Sequence, residues 1–230
     1  MKRILIVPLA LMFIVGSATA APLCVQASLS TYESLATACQ IGDKLFYGFT
    51  YSGSALAPAD TGITVGVVTG NSSTNPGLRF SSFGFLVYGG ETLDATITYN
   101  VVTLSGASIL EDYSLNMAGA YVGSTPTLGA NQGTGTVTES FSSPTGSSLV
   151  DQVVPGGVST ISGHLAFSPY FSGTTVTTTI HMVLPESDPG YITISAIQEG
   201  FSEQLPEPYA VVLIGSGLCF LGVCRKRVKC

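Results

Sequence analysis

The stretch Ala95-Thr96-Ile97-Thr98-Tyr99-Asn100-Val101-Val102-Thr103-Leu104 decides the fold class. Side chains of a strand alternate between faces with period two. Ala95, Ile97, Tyr99 and Val101 therefore share one face, and Thr96, Thr98 and Asn100 share the other. One apolar face and one polar face describe a half-buried antiparallel strand. Outward from it the same alternation recurs in short stretches separated by turn-forming residues. The candidate strands are 45–51, 63–69, 78–88, 108–121 (with a bend at Gly119), 135–141, 158–167, 174–184 and 191–201. Segments 71–77, 142–148 and 185–190 read as loops, and only 29–38 suggests a short helix. Strands without intervening helices predict an all-β chain: an antiparallel β-sandwich, with a jelly-roll-like order as one variant.

Composition agrees. Only 10% of the residues are charged, 27 are Gly, and Ser, Thr and Val abound, which suits a packed β-protein rather than a disordered polar chain. The net charge of -6 conceals an asymmetry. Of the eight basic residues, Lys2 and Arg3 stand near the start and Arg225, Lys226, Arg227 and Lys229 near the end, leaving Lys44 and Arg79 between them. An acidic middle with no basic patch excludes nucleic acid as a partner.

The two ends read as addresses. Lys2 and Arg3, an apolar run over 4–16 and then Ala18-Thr19-Ala20 make a secretory signal peptide over residues 1–20, with Ala21 as the expected mature N-terminus. Cys24 follows Ala21-Pro22-Leu23, which lacks the small residue wanted before a lipidated cysteine. The export machinery and a signal peptidase are thus expected partners. At the far end, residues 209–223 are apolar and uncharged, and the cluster Arg225, Lys226, Arg227 and Lys229 follows. Fifteen helical residues reach about 23 Å, slightly short for a ~30 Å hydrocarbon core. The basic cluster would stay cytoplasmic and leave residues 21–204 outside, the orientation that the signal peptide also gives.

Residues 205–230 carry a more specific likeness. Pro206-Glu207-Pro208, an apolar helix containing Gly215, Gly217 and Gly222, and a basic terminus together resemble the PEP-CTERM sorting signal. The resemblance implies recognition by an exosortase-type processing enzyme and transient anchoring in the inner membrane of a Gram-negative-type envelope. It also implies transfer to the cell surface or to an extracellular polysaccharide matrix. Tyr209 departs from the small residue that is commoner after the motif, and Cys219, Cys224 and Cys230 decorate the tail. Residues 24–51 also resemble the start of many secreted PEP-CTERM proteins, a likeness that supplies no activity.

Cys24 and Cys39 are the only cysteines of the expected exported domain. In an oxidising compartment a disulfide is the natural reading; a two-thiol metal site is the rival, but no His lies near them in sequence. The other candidates for chemistry are sparse. His164 and His181 could converge as a metal pair or acid-base element, and neither has a close carboxylate in sequence. Glu111/Asp112, Glu186/Asp188 and Glu91/Asp94 are carboxylate clusters suited to glycoside chemistry or Ca²⁺. Neighbours on a strand face opposite ways, so Glu111 and Asp112 are not expected to chelate one ion side by side. Nucleophile elbow, phosphate loop and zinc-protease motifs are absent from the sequence. No catalytic residue, metal or cofactor is expected. Sugar binding needs aromatic platforms; with no Trp, Tyr47, Tyr88, Tyr121 and Tyr170 are the candidates. The run Thr174, Thr175, Thr177, Thr178 and Thr179 suggests a flat ordered surface or simply a strand. The expected function is a structural or adhesive exported protein, with a carbohydrate-binding module as the alternative and a secreted hydrolase third.

Overall fold

The computed structural model describes residues 21–69, 76–104, 109–123, 133–143, 147–153, 162–187 and 190–204. The expected signal segment and sorting tail, with Pro206, Glu207, Pro208 and the Arg225–Lys229 cluster, lie outside the described residues. So do residues 71–75 of one expected loop and 158–161 of one expected strand. Among the described residues no helix is long and apolar enough to cross a membrane.

In chain order the elements begin with β1 (Ala27–Ser28), α1 (Leu29–Glu33), β2 (Cys39–Ile41), β3 (Lys44–Gly53), β4 (Thr64–Val68) and β5 (Gly77–Ser81). Then come β6 (Leu86–Tyr88), β7 (Thr92–Thr103), β8 (Ile109–Ala118), β9 (Tyr121–Gly123) and β10 (Thr134–Phe141). The last are β11 (Ser148–Val153), β12 (Ser162–Phe171), β13 (Gly173–Val183), β14 (Tyr191–Thr193) and β15 (Ala196–Gln204). They form two six-stranded sheets, β1-β4-β5-β15-β8-β12 and β11-β10-β13-β7-β3-β2, and a three-stranded sheet β6-β14-β9. The pairings within all three are antiparallel. The chain is thus all-β and consistent with a sandwich.

The deciding stretch lies in β7, at the heart of the second sheet. Ala95, Ile97, Tyr99 and Val101 are buried and Thr96, Thr98 and Asn100 look outward, as the alternation requires. Tyr99 packs against Phe46 and Phe49 of its own sheet and Phe80 of the other, while Tyr113 joins Phe141 to Phe201. These rings form the seam where the two inner faces meet.

Three expected single strands are each two. Segments 78–88, 108–121 and 191–201 break at Ser82–Phe85, at Gly119–Ala120 and at Ile194–Ser195. Each break passes the chain between the first large sheet and the small one, outward at the first two and back at the third. The neighbours β5, β15 and β8 continue as β6, β14 and β9 in the same lateral order. The small sheet is a bent extension of the large one. Its corner is held by Ile194 N–H donating to Phe85 O (3.0 Å) and Ser82 N–H to Ser195 O (3.3 Å). Gly119 takes φ +63° there, as the bend expected at that residue demands.

Two other expectations shift. The helix ends at Glu33 rather than residue 38; Ser28 caps its start, its Oγ accepting from Thr31 N. Residues 148–153, given no strand by the sequence reading, form β11, and Cys39–Ile41 form β2. Cys24 and Cys39 are joined by a disulfide, their Cα atoms 4.8 Å apart.

Candidate functional site

The two histidines do not converge. His181 on β13 faces outward from the second large sheet, and His164 on β12 faces outward from the first. Each acquires across its ladder the carboxylate that sequence neighbours lack. His181 Nδ1 lies 2.6 Å from Asp94 Oδ1, and His164 Nε2 lies 3.0 Å from Asp112 Oδ2. Register explains both: β13 sets His181 opposite Asp94, and β12 sets His164 beside the row that holds Asp112. The expected carboxylate clusters are likewise dispersed. Glu91 Oε2 accepts from Tyr88 N (2.7 Å) while Asp94 serves His181. Glu186 is exposed in a turn, and Asp188 lies outside the described residues. Among the described residues no group of three or more His, Cys, Asp or Glu is placed to hold a metal ion.

What sequence reading passed over is a pair of acids inside the sandwich. Glu139 on β10 and Glu199 on β15 are both fully buried. Each occupies the apolar phase of its strand: Val137, Glu139 and Phe141 share one parity, as do Ile197, Glu199 and Phe201. That parity is the signal that could have found them. Tyr99 Oη donates to Glu199 Oε2. Thr178 Oγ1 lies 2.8 Å from Glu139 Oε2 and 2.9 Å from Glu199 Oε1. The Tyr113 hydroxyl leans on the Glu139 carboxyl without closing a full hydrogen bond, so it and Glu139 Oε1 are left unsatisfied. Burial pushes Glu199 up to about 7. Glu139 is raised well above the usual carboxylate range by burial and by the charge of Glu199. The same burial, with the neighbouring carboxylates, holds the Tyr99 and Tyr113 phenols protonated. Asp151 on β11, another acid in the core, is pushed up to about 6 by burial.

The aromatic candidates divide. Tyr170 and Tyr47 are exposed on separate large sheets; Tyr47 borders a polar recess with Asn100, Ser142 and Thr175. Tyr88 and Tyr121 come together on the small sheet with Tyr191, which the sequence reading left out. Tyr191 stands opposite Tyr88 in the β14–β6 register, both exposed, and the Tyr121 and Tyr191 ring centroids are 5.7 Å apart at 50°. Gly123 lies beneath them. A Cβ there would stand 2.5 Å from the Tyr191 ring and 2.9 Å from that of Tyr121, so only glycine lets both rings lean over β9. Ile192 and Val122 alternate with these tyrosines and point into the core. The threonine run is less uniform than a flat surface needs: Thr174 and Thr178 point inward, and Thr175, Thr177 and Thr179 outward.

No family model matches the chain, and no curated protein matches it either. Among solved structures it is similar to that of TmCBM61 in complex with β-1,4-galactotriose, at 12% identity over 66% of this chain and 86% of that one, with a TM-score of 0.33.

Proposed function

We propose that the chain is an exported surface or extracellular-matrix protein of structural and adhesive type, and that it attaches to polysaccharide through the small sheet. The observation that carries this reading is the gathering of Tyr88, Tyr121 and Tyr191 on one face of the small sheet, the last two leaning over Gly123. Sugar rings present apolar C–H faces that stack on aromatic faces, and phenol hydroxyls bond to sugar hydroxyls. Glu91 and Glu186 lie beside the same sheet, near the turn at Gly90, and favour an uncharged sugar over a uronate or other anionic polymer. Catalysis is not part of this reading, since the acids and histidines outside the core are dispersed.

Affinity electrophoresis of the purified protein against neutral and anionic polysaccharides tests it. Retardation is expected in neutral gels, and Tyr88→Ala or Tyr191→Ala should each weaken it roughly five- to tenfold, in line with about 1 kcal/mol per stacked ring. Binding to no glycan would leave the structural role and remove the adhesive one.

The address belongs to the same proposal. The signal peptide exports residues 21–204, the tail holds the chain briefly in the inner membrane, and an exosortase-type enzyme acts near Pro206-Glu207-Pro208. Two prolines keep that segment out of helix, and Glu207 stays outside the bilayer because burying its charge is costly. Pro206→Ala with Glu207→Ala should trap the full-length chain in the inner membrane. Recovery of the intact C-terminal peptide from surface material of the unmutated strain would rule processing out.

A further inference from the structure

Adhesion makes no use of the acids between the sheets, yet burying two carboxyl groups is costly without compensation. Their placement is unusual in that one belongs to each large sheet: Glu139 to β10, Glu199 to β15. Thr178 Oγ1 stands within hydrogen-bond distance of both, at 2.8 and 2.9 Å. A hydroxyl has one hydrogen to donate. Thr178 can therefore satisfy one carboxyl as donor, and the other contact needs a proton supplied by the second carboxyl. The geometry points to a proton-held latch: a proton kept on the Glu139–Glu199 pair ties the two sheets together through Thr178, and its loss loosens the sandwich.

The second donor on Glu199 favours the proton on Glu139. Tyr99 donates to Glu199, and Thr178 is free to do the same. Glu139 has no firm donor besides the shared Thr178 hydroxyl, and its Oε1 is unsatisfied because the Tyr113 hydroxyl stops short of a full bond. The chain then runs from the Glu139 acid proton to Thr178 Oγ1, from the Thr178 hydrogen to Glu199, and from Tyr99 to the other Glu199 oxygen. Loss of the last proton to solvent base would leave two carboxylates face to face with too few donors, a repulsive arrangement in a medium of low dielectric. The groups facing the pair are Tyr99 from β7, Tyr113 from β8 and Thr178 from β13. Among the described residues no cation is a cause of the shift at either carboxyl. Lys44, the buried cation of β3, stands 3.0 Å from Asp43. Asp151 on β11 is a further buried acid whose titration adds to any pH response.

The sign follows from linkage. Both carboxyls hold protons more tightly folded than unfolded, so stability is greatest in mild acid and falls as pH rises above the ordinary value of 4.5, through about 7 for Glu199 and further for Glu139. Thermal melting of the full-length protein over about pH 5 to about pH 9 should show a decline of roughly 10 °C. Glu199→Gln, a neutral side chain of the same shape, should flatten most of that decline, and Asp151→Asn should leave its upper part intact. A wild-type melting temperature that does not fall over this range would overturn the latch, as would an unchanged slope in Glu199→Gln. If Glu199→Gln fails to fold, infrared spectroscopy of the wild type decides instead: a buried protonated-carboxyl band must be present at pH 6 and disappear at higher pH together with the loss of stability. Stabilisation by Ca²⁺ and destabilisation by a chelator, both absent in Glu199→Gln, would mean that the pair holds a cation and would overturn the shared proton.

Discussion

Tyr99 and Tyr113 are equally buried phenols a few ångströms from the same acids, and they separate a made hydrogen bond from an unmade one. Tyr99→Phe removes the donor to Glu199 and leaves a buried carboxyl oxygen bare, at a cost of about 1–3 kcal/mol. Tyr113→Phe deletes a hydroxyl that already lacks a full partner, so its cost should stay below about 1 kcal/mol. Urea unfolding at one pH measures both, and equal losses would contradict this account of the pair. Gly123 gives the matching test outside the core. Gly123→Ala must push aside the Tyr191 and Tyr121 rings, so polysaccharide retardation should fall about as far as in Tyr191→Ala while the melting temperature changes by only a few degrees. At this scale the sequence was legible for Tyr99, whose inward parity is fixed by its apolar neighbours. For Glu139 and Glu199 it marked the inward parity but not their meeting, because a lone acid in an apolar phase names no partner until another strand supplies one.

Elements were legible in type and less so in length. The alternation over 78–88, 108–121 and 191–201 continues across each corner, since both halves bury their apolar phase against the same core. Periodicity therefore cannot show that the backbone has turned. Gly119 was the local mark from which a bend was expected, and substitution there should be sharply felt. Gly119→Ala forces an L-residue into a left-handed conformation and sets its Cβ 2.6 Å from Ser195 Oγ, for a loss of roughly 1–3 kcal/mol in chemical denaturation. A stability unchanged within a few tenths would show that the corner does not depend on it. The disulfide is a separate support. Cys24→Ala with Cys39→Ala should lower stability by about 3 kcal/mol in the chain-entropy model, yet leave far-ultraviolet dichroism of β type, because the sheets from β3 onward lie outside the closed loop. The pairing was readable from the sequence because only two cysteines precede the tail.

For the whole molecule, stability should be weighted toward acid even apart from the acid pair. Asp151 ionises near 3.8 in an unfolded chain and at about 6 in the fold, so the folded state binds more protons between those values and loses stability as pH rises through them. Asp151→Asn should lessen the slope over that lower window, which Glu199 shares in part, and leave the decline through and beyond about 7 that the two glutamates cause, a difference that calorimetry at stepped pH resolves. By itself the sequence determined the β class, the inward and outward faces of most strands, the disulfide and the acidic middle of the chain. These follow from composition and from a period-two pattern that neighbours along the chain enforce. Only the tertiary structure decided that three strands turn a corner, that Tyr88, Tyr121 and Tyr191 share a face, that each histidine meets an aspartate, and that two glutamates from different sheets meet around Thr178. Each of these depends on register between segments distant in sequence, which hydrogen-bond ladders and core packing select together and no local pattern encodes.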